Sequence, residues 1–196
     1  ATLFNYHNVY KKIIKSMGGI NKITHIQSNF NIPIIKKVHN IKNRDDDALM
    51  DMSPYAAAII RIFFKKDYQI DVNKLTYKDT RYIKSFSVFC KNKKKSYFGN
   101  FGSEQEYISE IRFFSNNKIA SINHQAFALP NNNKVPVYFK EKNKTKSINF
   151  SKDDSIKNFF KECMRVIKLK KYDMYYKNIL IDAKIREELR LKWSYQ

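Results

Sequence analysis

The segment from residue 78 to residue 100 places positively charged side chains among aromatic ones. Its cationic residues are Lys78, Arg81, Lys84, Lys91, Lys93, Lys94 and Lys95. Lys and Arg neutralise phosphate groups and aromatic rings stack on unpaired bases, so this composition is typical of contact with a nucleic acid. A half-buried strand needs aromatic side chains as well. We therefore predict a strand that turns Ile83, or Phe86 and Val88, towards a core and its lysines towards solvent.

Carboxylate and thiol side chains give little indication of catalysis. Four aspartates lie between residues 45 and 51, and such a cluster could bind Mg²⁺, as in a nuclease. Negative charge also suits a loop that precedes a helix. We favour this second interpretation because no further group of carboxylates accompanies the cluster. Cys90 and Cys163 have the character of small core residues rather than nucleophiles.

Histidine and glycine residues do not form a recognisable site either. The histidines, His7, His25, His39 and His124, are scattered along the chain, and no two have the spacing of a metal-ligand pair. Gly18-Gly19 predicts a turn rather than a phosphate-binding loop, because no strand precedes it. The sequence therefore predicts a protein that is not an enzyme, with no catalytic residue, no metal and no cofactor.

Length and charge restrict the class of protein. The 196 residues fit one domain, and a hydrophobic content of 43% is enough to bury a core. The net charge is +20, from 38 basic and 18 acidic side chains. Self-repulsion at this charge destabilises a compact protein, so the expected partner is a polyanion such as a nucleic acid. An anionic membrane surface is the competing partner. No apolar run approaches the roughly 20 residues that span a bilayer.

Helical and strand patterns interleave along the chain. This order predicts an α+β fold with an antiparallel-rich sheet, helices packed on one face and a C-terminal helical extension. Helices are predicted at residues 5–16, from Ser53-Pro54 onwards, at 103–114, after a cap at Ser151 and Asp154, and at roughly 173–193. Strands are predicted at residues 34–41, at 68–76, within 81–101, at 119–122, and in the segments VPVYF and KSINF.

Four segments, in order, resemble the large-subunit ribosomal protein family that binds 5S ribosomal RNA in the central protuberance. They are NYHNVYKKI, NIPIIKKVHNIKN, YKDTRYIKSFSVF and KSINFSKDDSIKNFFKECM. The positions that match the family are Pro33, Ile35, Lys37, Val38, Asn40, Lys78, Arg81, Ile83, Phe86, Val88, Lys152 and Asp153. Phe89 stands where the family has Arg, and the Gly that follows this Arg is absent. These departures leave open whether the ligand is 5S RNA or a substitute segment.

The resemblance implies a structural constituent of the mitochondrial large ribosomal subunit, located in the mitochondrial matrix. Its partners would be ribosomal RNA, neighbouring ribosomal proteins, the P-site transfer RNA and a small-subunit protein across an intersubunit bridge, with no membrane span. Residues 1–170 would form the RNA-binding domain and residues 171–196 a helical extension. The expected RNA contacts are Lys36, Lys37, Lys42, Lys78, Arg81, Lys84, Lys91, Lys93, Lys94 and Lys95.

Two alternatives stay open. The first is another mitochondrial ribosomal or RNA-binding protein, because AT-rich coding explains the abundance of Lys and Asn beside only 4 Gly. The second is a Mg²⁺-dependent enzyme of nucleic-acid metabolism that uses Asp45, Asp46 and Asp47. The resemblance also implies that the last helix, with Met174, Ile181, Ile185 and Leu189, docks a neighbouring protein.

Overall fold

The computed structural model describes residues 2–33, 47–64, 67–76, 82–131 and 133–192. The helices are α1 (Asn8–Ser16), α2 (Ala48–Phe64), α3 (Ser155–Leu169) and α4 (Asp173–Leu191), with a 3-10 turn at Leu3–Tyr6. The strands are β1 (His25–Ile32), β2 (Gln69–Thr76), β3 (Ile83–Lys91), β4 (Ser96–Ser103), β5 (Ile108–Phe114), β6 (Lys118–Ile122), β7 (Val135–Glu141) and β8 (Lys144–Phe150).

All eight strands of the described residues form one sheet in the order β2-β3-β4-β1-β5-β6-β7-β8. Strand β1 pairs in parallel with β4, whereas the other neighbouring pairs among the described residues are antiparallel. The predicted α+β class with a mostly antiparallel sheet is therefore confirmed. The predicted strand segments at 68–76, within 81–101 and at 119–122, and the VPVYF–KSINF pair, are confirmed as well.

One face of the sheet carries the core. Alternate residues are buried in β7 and, from Phe86 to Cys90, in β3, as the two-residue period of a half-exposed strand requires. Helix α2 packs across β3 and β4, and Ala56, Ala57 and Ala58 are completely buried there. Alanine lets the helix backbone approach the sheet closely. Helix α1 covers the neighbouring strands through Tyr10, whose ring contacts Phe113 of β5 at 6.3 Å between ring centroids.

Helix α2 begins five residues before the predicted start at Ser53-Pro54. The Asp47 carboxylate accepts hydrogen bonds from the backbone amides of Leu49 at 2.8 Å and Met50 at 3.2 Å, which satisfies two free donors of the first turn. Pro54 consequently lies inside the helix. Pro removes one backbone donor there, and the apolar burial of the helix offsets this cost.

The helix predicted at residues 103–114 is wrong. This segment is the end of β4, a bend and then β5, in which Ser109, Ile111 and Phe113 are buried at every second position. The spacing of Ile108 and Ile111 fits both a helix and a strand. Antiparallel pairing with β1 over seven residue pairs shows that the segment is a strand. Helix α3 is confirmed, with the side chain of Asp154 accepting from the backbone amide of Lys157.

Helix α4 packs on α2 and on the edge strand β2. Ile185 and Leu189 are completely buried in the same core as the sheet. Arg61 of α2 forms an ion pair with Asp182 at 2.7 Å between Nε and Oδ1. Two of the residues expected to dock a neighbouring protein therefore pack within this chain, while the division into residues 1–170 and 171–196 stays a prediction. Among the described residues, no helix combines the length and the apolar character needed to cross a membrane.

We predict that Leu189→Ala lowers the free energy of unfolding by about 2–5 kcal/mol, because it leaves a cavity between α4 and the core. The matched control is Leu180→Ala on the same helix, where the side chain is 69% exposed. The control should change stability by no more than about 0.5 kcal/mol. Urea unfolding followed by circular dichroism measures both variants. Equal stability of the two would show that α4 does not pack as described.

Candidate active site

The position of α2 relative to the sheet determines where functional side chains can gather. At the C-terminal end of α2, the Lys95 ammonium donates to the carbonyl oxygen of Phe63 at 3.2 Å, just before β4 begins. The 17-residue helix is about 26 Å long and an 8-residue strand is about 27 Å long. The N-terminal turns of α2 therefore lie at the carboxyl ends of β1 and β4. These ends share one edge of the sheet because the two strands are parallel.

Tyr55 lies at this edge, in the second turn of α2, with its ring on an aromatic floor. Its ring centroid is 6.1 Å from that of Phe4, 5.1 Å from Phe30 and 5.4 Å from Phe127. All three phenylalanines are buried, whereas Tyr55 is half-buried. The backbone amide of Phe127 donates to the Ser109 hydroxyl at 3.2 Å, which fixes the loop that carries it. The packing therefore holds the ring of Tyr55 in one position.

The Tyr55 hydroxyl has an altered acidity. Burial raises its pKa above the ordinary value, and the negative charges of Asp51 and Tyr107 raise it further. Asp51 is one helical turn before Tyr55, so the two side chains share a face of α2. A phenol with a raised pKa is fully protonated at neutral pH. The Tyr55 hydroxyl group can therefore donate a hydrogen bond to an oxygen atom that is bound beside it, although the raised pKa makes it a weaker acid than an ordinary tyrosine.

Two further side chains surround the same edge. Tyr107 precedes β5, and His124 follows β6; these positions meet because β5 and β6 are antiparallel. Their rings are edge to face at 5.9 Å between centroids, and both side chains are exposed. A carboxylate, two phenols and an imidazole thus lie near this edge, linked by the Tyr107–His124 ring contact and by the electrostatic effect of Asp51 and Tyr107 on Tyr55. They offer hydrogen-bond donors and acceptors that suit a ligand rich in hydroxyl groups.

Tyr55 was not singled out by the sequence prediction. Asp51 was noticed only as a possible Mg²⁺ ligand, and His124 only as one of four scattered histidines. The available signal was the spacing of Asp51 and Tyr55, which puts two polar groups on one face of an otherwise apolar helix. Their relation to Tyr107 and His124 depends on strand pairing, which the sequence does not display.

The predicted cationic residues do not form one surface. Five of them lie outside the described residues: Lys36, Lys37, Lys42, Lys78 and Arg81. Lys84 forms an ion pair with Glu104 at 3.2 Å and lies at the opposite end of β3 from Lys91, about 23 Å away along the strand. Lys91, Lys93 and Lys94 are exposed in and beside the β3–β4 turn. Their contact with phosphate stays a prediction.

Lys95 has a structural role. Its ammonium group donates to the carbonyl oxygens of Ile20 at 2.9 Å and Phe63 at 3.2 Å. A cation at the last turn of α2 satisfies a free carbonyl and opposes the negative end of the helix dipole. The turn itself is fixed by Asn92, whose side chain accepts from the backbone amides of Lys94 and Lys95.

We predict that Lys95→Met lowers the free energy of unfolding by about 1–3 kcal/mol, because two buried carbonyl oxygens lose a charged donor. Lys94→Met is the matched control in the same turn and should change stability by less than about 0.5 kcal/mol. Thermal and urea unfolding of both variants provide the measurement. If Lys95→Met is as stable as the wild type, the capping role is wrong.

The predicted Mg²⁺ cluster is not supported. Asp45 and Asp46 lie outside the described residues, and Asp47 is occupied as the cap of α2. Among the described residues no three His, Cys, Asp or Glu side chains are placed to hold a metal ion. Cys90 is buried, and burial raises the pKa of its thiol to about 12, so it stays in the unreactive thiol form.

No protein-family model matches the sequence, and no curated protein matches it. Solved structures do match the fold. A 3-ketoreductase from Actinomadura kijaniata in complex with NADP and TDP-benzene superposes with a TM-score of 0.86 and 14% identity, over 98% of this chain and 61% of that enzyme. A UDP-N-acetylglucosamine 3-dehydrogenase from Acidithiobacillus ferrooxidans superposes with a TM-score of 0.73 and 10% identity, over 97% of this chain and 60% of that enzyme. The chain therefore spans about 60% of the length of these neighbours.

The fold comparison shows that the resemblance to the ribosomal protein family is wrong. The matched motifs were short runs of alternating apolar and basic residues, which any half-exposed strand of a basic protein contains. The predicted role as a constituent of the mitochondrial large ribosomal subunit is therefore wrong as well. The predicted partners are also contradicted: ribosomal RNA, other ribosomal proteins, P-site transfer RNA and a small-subunit protein. The Mg²⁺-dependent nucleic-acid enzyme is not supported either.

The prediction of a protein that is not an enzyme is contradicted as well, since these structural neighbours are enzymes. The matrix location stays a prediction.

The sequence does not fit an NADP-binding role by itself. Its four glycines are Gly18, Gly19, Gly99 and Gly102, and no two are separated by one residue as in the G-x-G-x-x-G fingerprint. None of the described helices follows a strand through a glycine-rich turn that could hold a pyrophosphate.

We predict that Asp51→Asn lowers the pKa of Tyr55, because it removes a negative charge that disfavours the phenolate. The measurement is a pH titration of ¹³Cζ-labelled tyrosine by NMR, with the Tyr55 signal assigned from Tyr55→Phe. Asp71→Asn on β2 is the control and should leave this pKa unchanged. A Tyr55 pKa at the ordinary tyrosine value in the wild type would contradict the described burial.

Proposed function

We propose that this chain is the substrate-binding part of an oxidoreductase that acts on a ketone or hydroxyl group of a nucleotide-linked sugar. The observation that most directly supports this proposal is the environment of Tyr55, a protonated phenol that packs on aromatic rings beside Asp51. Tyr55 lies at the carboxyl edge of β1 and β4, the only parallel strand pair among the described residues. The fold similarity supports the proposal. One neighbour is a 3-ketoreductase bound to NADP and TDP-benzene, and another is a UDP-N-acetylglucosamine 3-dehydrogenase.

Reduction of a sugar ketone requires a proton at the carbonyl oxygen. Tyr55 supplies this proton from its hydroxyl group, and in the reverse direction the phenolate takes it back from the sugar hydroxyl. Proton transfer by a positioned side chain accelerates such a step by roughly 10²–10⁴-fold.

The surrounding residues orient the sugar. The buried rings of Phe4, Phe30 and Phe127 exclude water from one side of Tyr55. Tyr107 and His124 extend polar groups at the open side, where they can bind sugar hydroxyls. A dinucleotide would supply the redox equivalent, and the residues described at Tyr55 contribute recognition and proton transfer.

The direct test is binding of TDP-linked and UDP-linked hexoses, measured by isothermal titration calorimetry. We expect saturable binding to the wild-type chain and nearly unchanged binding to Tyr55→Phe, since the phenyl ring keeps the packing. In an enzyme that contains this chain, Tyr55→Phe should lower kcat by about 10²–10⁴-fold with little change in KM. Tyr68→Phe, a half-buried tyrosine outside the site, is the control. Absence of binding to either class of sugar nucleotide at millimolar concentration would contradict the proposal.

A further inference from the structure

A cleft of about 380 Å³ lies between the start of α1 and one face of α3. Small-ligand sites have volumes of roughly 300–1,000 Å³, so the cleft is large enough for a small molecule. Helix α3 lines it with Asn158, Lys161, Glu162 and Arg165, whose spacing places them on one face of the helix. Helices usually pack on their neighbours through an apolar face. The polar face of α3 therefore favours a polar ligand in the cleft.

Direct contacts hold the two walls of the cleft together. The side-chain amide of Asn158 donates to the carbonyl oxygen of Tyr6 at 3.0 Å and to the Asp153 carboxylate at 2.8 Å. The same carboxylate accepts from the backbone amide of Asn8 at 2.6 Å, and the ring of Tyr6 contacts that of Phe159 at 5.1 Å between centroids. These contacts fix the first turn of α1 relative to α3, so the cleft is formed in the folded chain without a ligand.

The charges of the cleft are unbalanced. Lys11 lines it from α1 and Lys161 from α3, and neither forms an ion pair with a carboxylate among the described residues. Arg165 is paired with Glu162, through Nε to Oε2 at 2.7 Å and Nη2 to Oε1 at 2.6 Å, so these two charges cancel. The two lysines repel each other, and an anion bound between them removes this repulsion.

The one carboxylate that lines the cleft, Glu162, is already engaged by donors of this chain. Hydrogen bonds from Arg165 and from the Tyr175 hydroxyl group hold the pKa of Glu162 at about 2, and the charge of Lys11 also lowers it. Glu162 is consequently ionised at neutral pH and its charge is offset by Arg165. An anion in the cleft therefore meets the charges of Lys11 and Lys161.

A neutral side chain of the cleft lacks a hydrogen-bond donor. The Asn5 amide nitrogen donates to the Thr2 hydroxyl at 3.2 Å, whereas its Oδ1 atom is buried and has no partner among the described residues. A buried acceptor without a donor is unfavourable, and most such atoms in folded proteins are satisfied. Because Asn5 lines the cleft, a hydroxyl group of a bound molecule can supply the missing donor.

We propose that this cleft binds the phosphate monoester of a small polyhydroxy compound, such as a sugar phosphate. Lys11 and Lys161 bind the phosphate oxygens, and Asn5 accepts from a hydroxyl group. A phosphate monoester carries about −1.5 to −2 charges at pH 7, which matches the two lysines, whereas each phosphate of a nucleic acid carries a single charge. The inference is independent of the proposed function, because the cleft shares no lining residue with the site at Tyr55.

The test is isothermal titration calorimetry with glucose 6-phosphate, glucose and inorganic phosphate in about 0.15 M NaCl. The cleft variant is Lys11→Met with Lys161→Met. The control variant, Lys93→Met with Lys94→Met, removes the same charge from exposed lysines of the β3–β4 turn. A third variant, Asn5→Leu, removes the unsatisfied acceptor. Thermal unfolding followed by circular dichroism verifies that each variant is folded.

We expect glucose 6-phosphate to bind with a dissociation constant below about 1 mM. Binding should be weakened about tenfold or more in the cleft variant and unchanged in the control, because charge-assisted hydrogen bonds are lost only in the former. Asn5→Leu should weaken binding of glucose 6-phosphate but not of inorganic phosphate, and glucose should not bind.

Four outcomes overturn the proposal. The first is that neither phosphate compound binds, and the second is that the cleft and control variants bind glucose 6-phosphate equally. The third is that inorganic phosphate binds as tightly as glucose 6-phosphate, which would show an adventitious ion only. The fourth is that the cleft lysines are needed for binding of a short single-stranded RNA while glucose 6-phosphate does not bind.

Discussion

The packing of α2 against the sheet is the constraint on which the rest of the structure depends. The helix is held at its first turn by the Asp47 carboxylate and at its last turn by the Lys95 ammonium. Between these ends the helix packs on β3, β4 and α4, and its alanines are completely buried. With both ends fixed, the position of every residue along α2 relative to the strand ends is set. Tyr55 therefore reaches the carboxyl edge of β1 and β4, where Phe30 of β1 and Phe127 of the following loop hold its ring.

This geometry explains why a proton-transfer group can be built from a tyrosine. Buried phenylalanine rings hold Tyr55 and desolvate it, and Asp51 lies one turn away on the same helix. Both effects disfavour the phenolate, so the proton stays on the oxygen until a ligand accepts it. The open side of the site, with Tyr107 and His124, is formed by the ends of antiparallel strands and is polar. One rigid apolar wall and one adaptable polar wall suit the recognition of a sugar.

Local patterns predicted much of the secondary structure. The strand at residues 83–91, the Asp154 cap and the presence of the last helix each depend on neighbours in the sequence, and they were predicted correctly. The apolar residues of the last helix were assigned to a neighbouring protein, whereas Ile185 and Leu189 pack within this chain. The helix predicted at residues 103–114 was wrong because an Ile spacing suited to a helix was overruled by pairing with β1, which is distant in sequence. The predicted start of α2 was wrong because Ser53-Pro54 has the pattern of a helix start, whereas Asp47 caps the helix earlier in the chain.

The function was predicted less well, for a physical reason. A net charge of +20 directed attention to phosphate contacts, although several cations serve the fold: Lys95 caps α2, and Lys84 pairs with Glu104. The candidate active site contains no metal-ligand spacing and no glycine-rich loop. It consists of one half-buried phenol whose neighbours come from α2, the β4–β5 bend and the loop after β6. Only the three-dimensional arrangement of these segments distinguishes Tyr55 from the other tyrosines of the chain.

The most direct measurement is NMR chemical-shift mapping of the chain during titration with a TDP-linked hexose. The account predicts that the signals of Asp51, Tyr55, Tyr107 and His124 shift together and saturate at one dissociation constant, while those of Lys91, Lys93 and Lys94 do not move. Shifts confined to the β3–β4 turn would show that the ligand is held by surface cations through its phosphates. That result would contradict a substrate site at Tyr55.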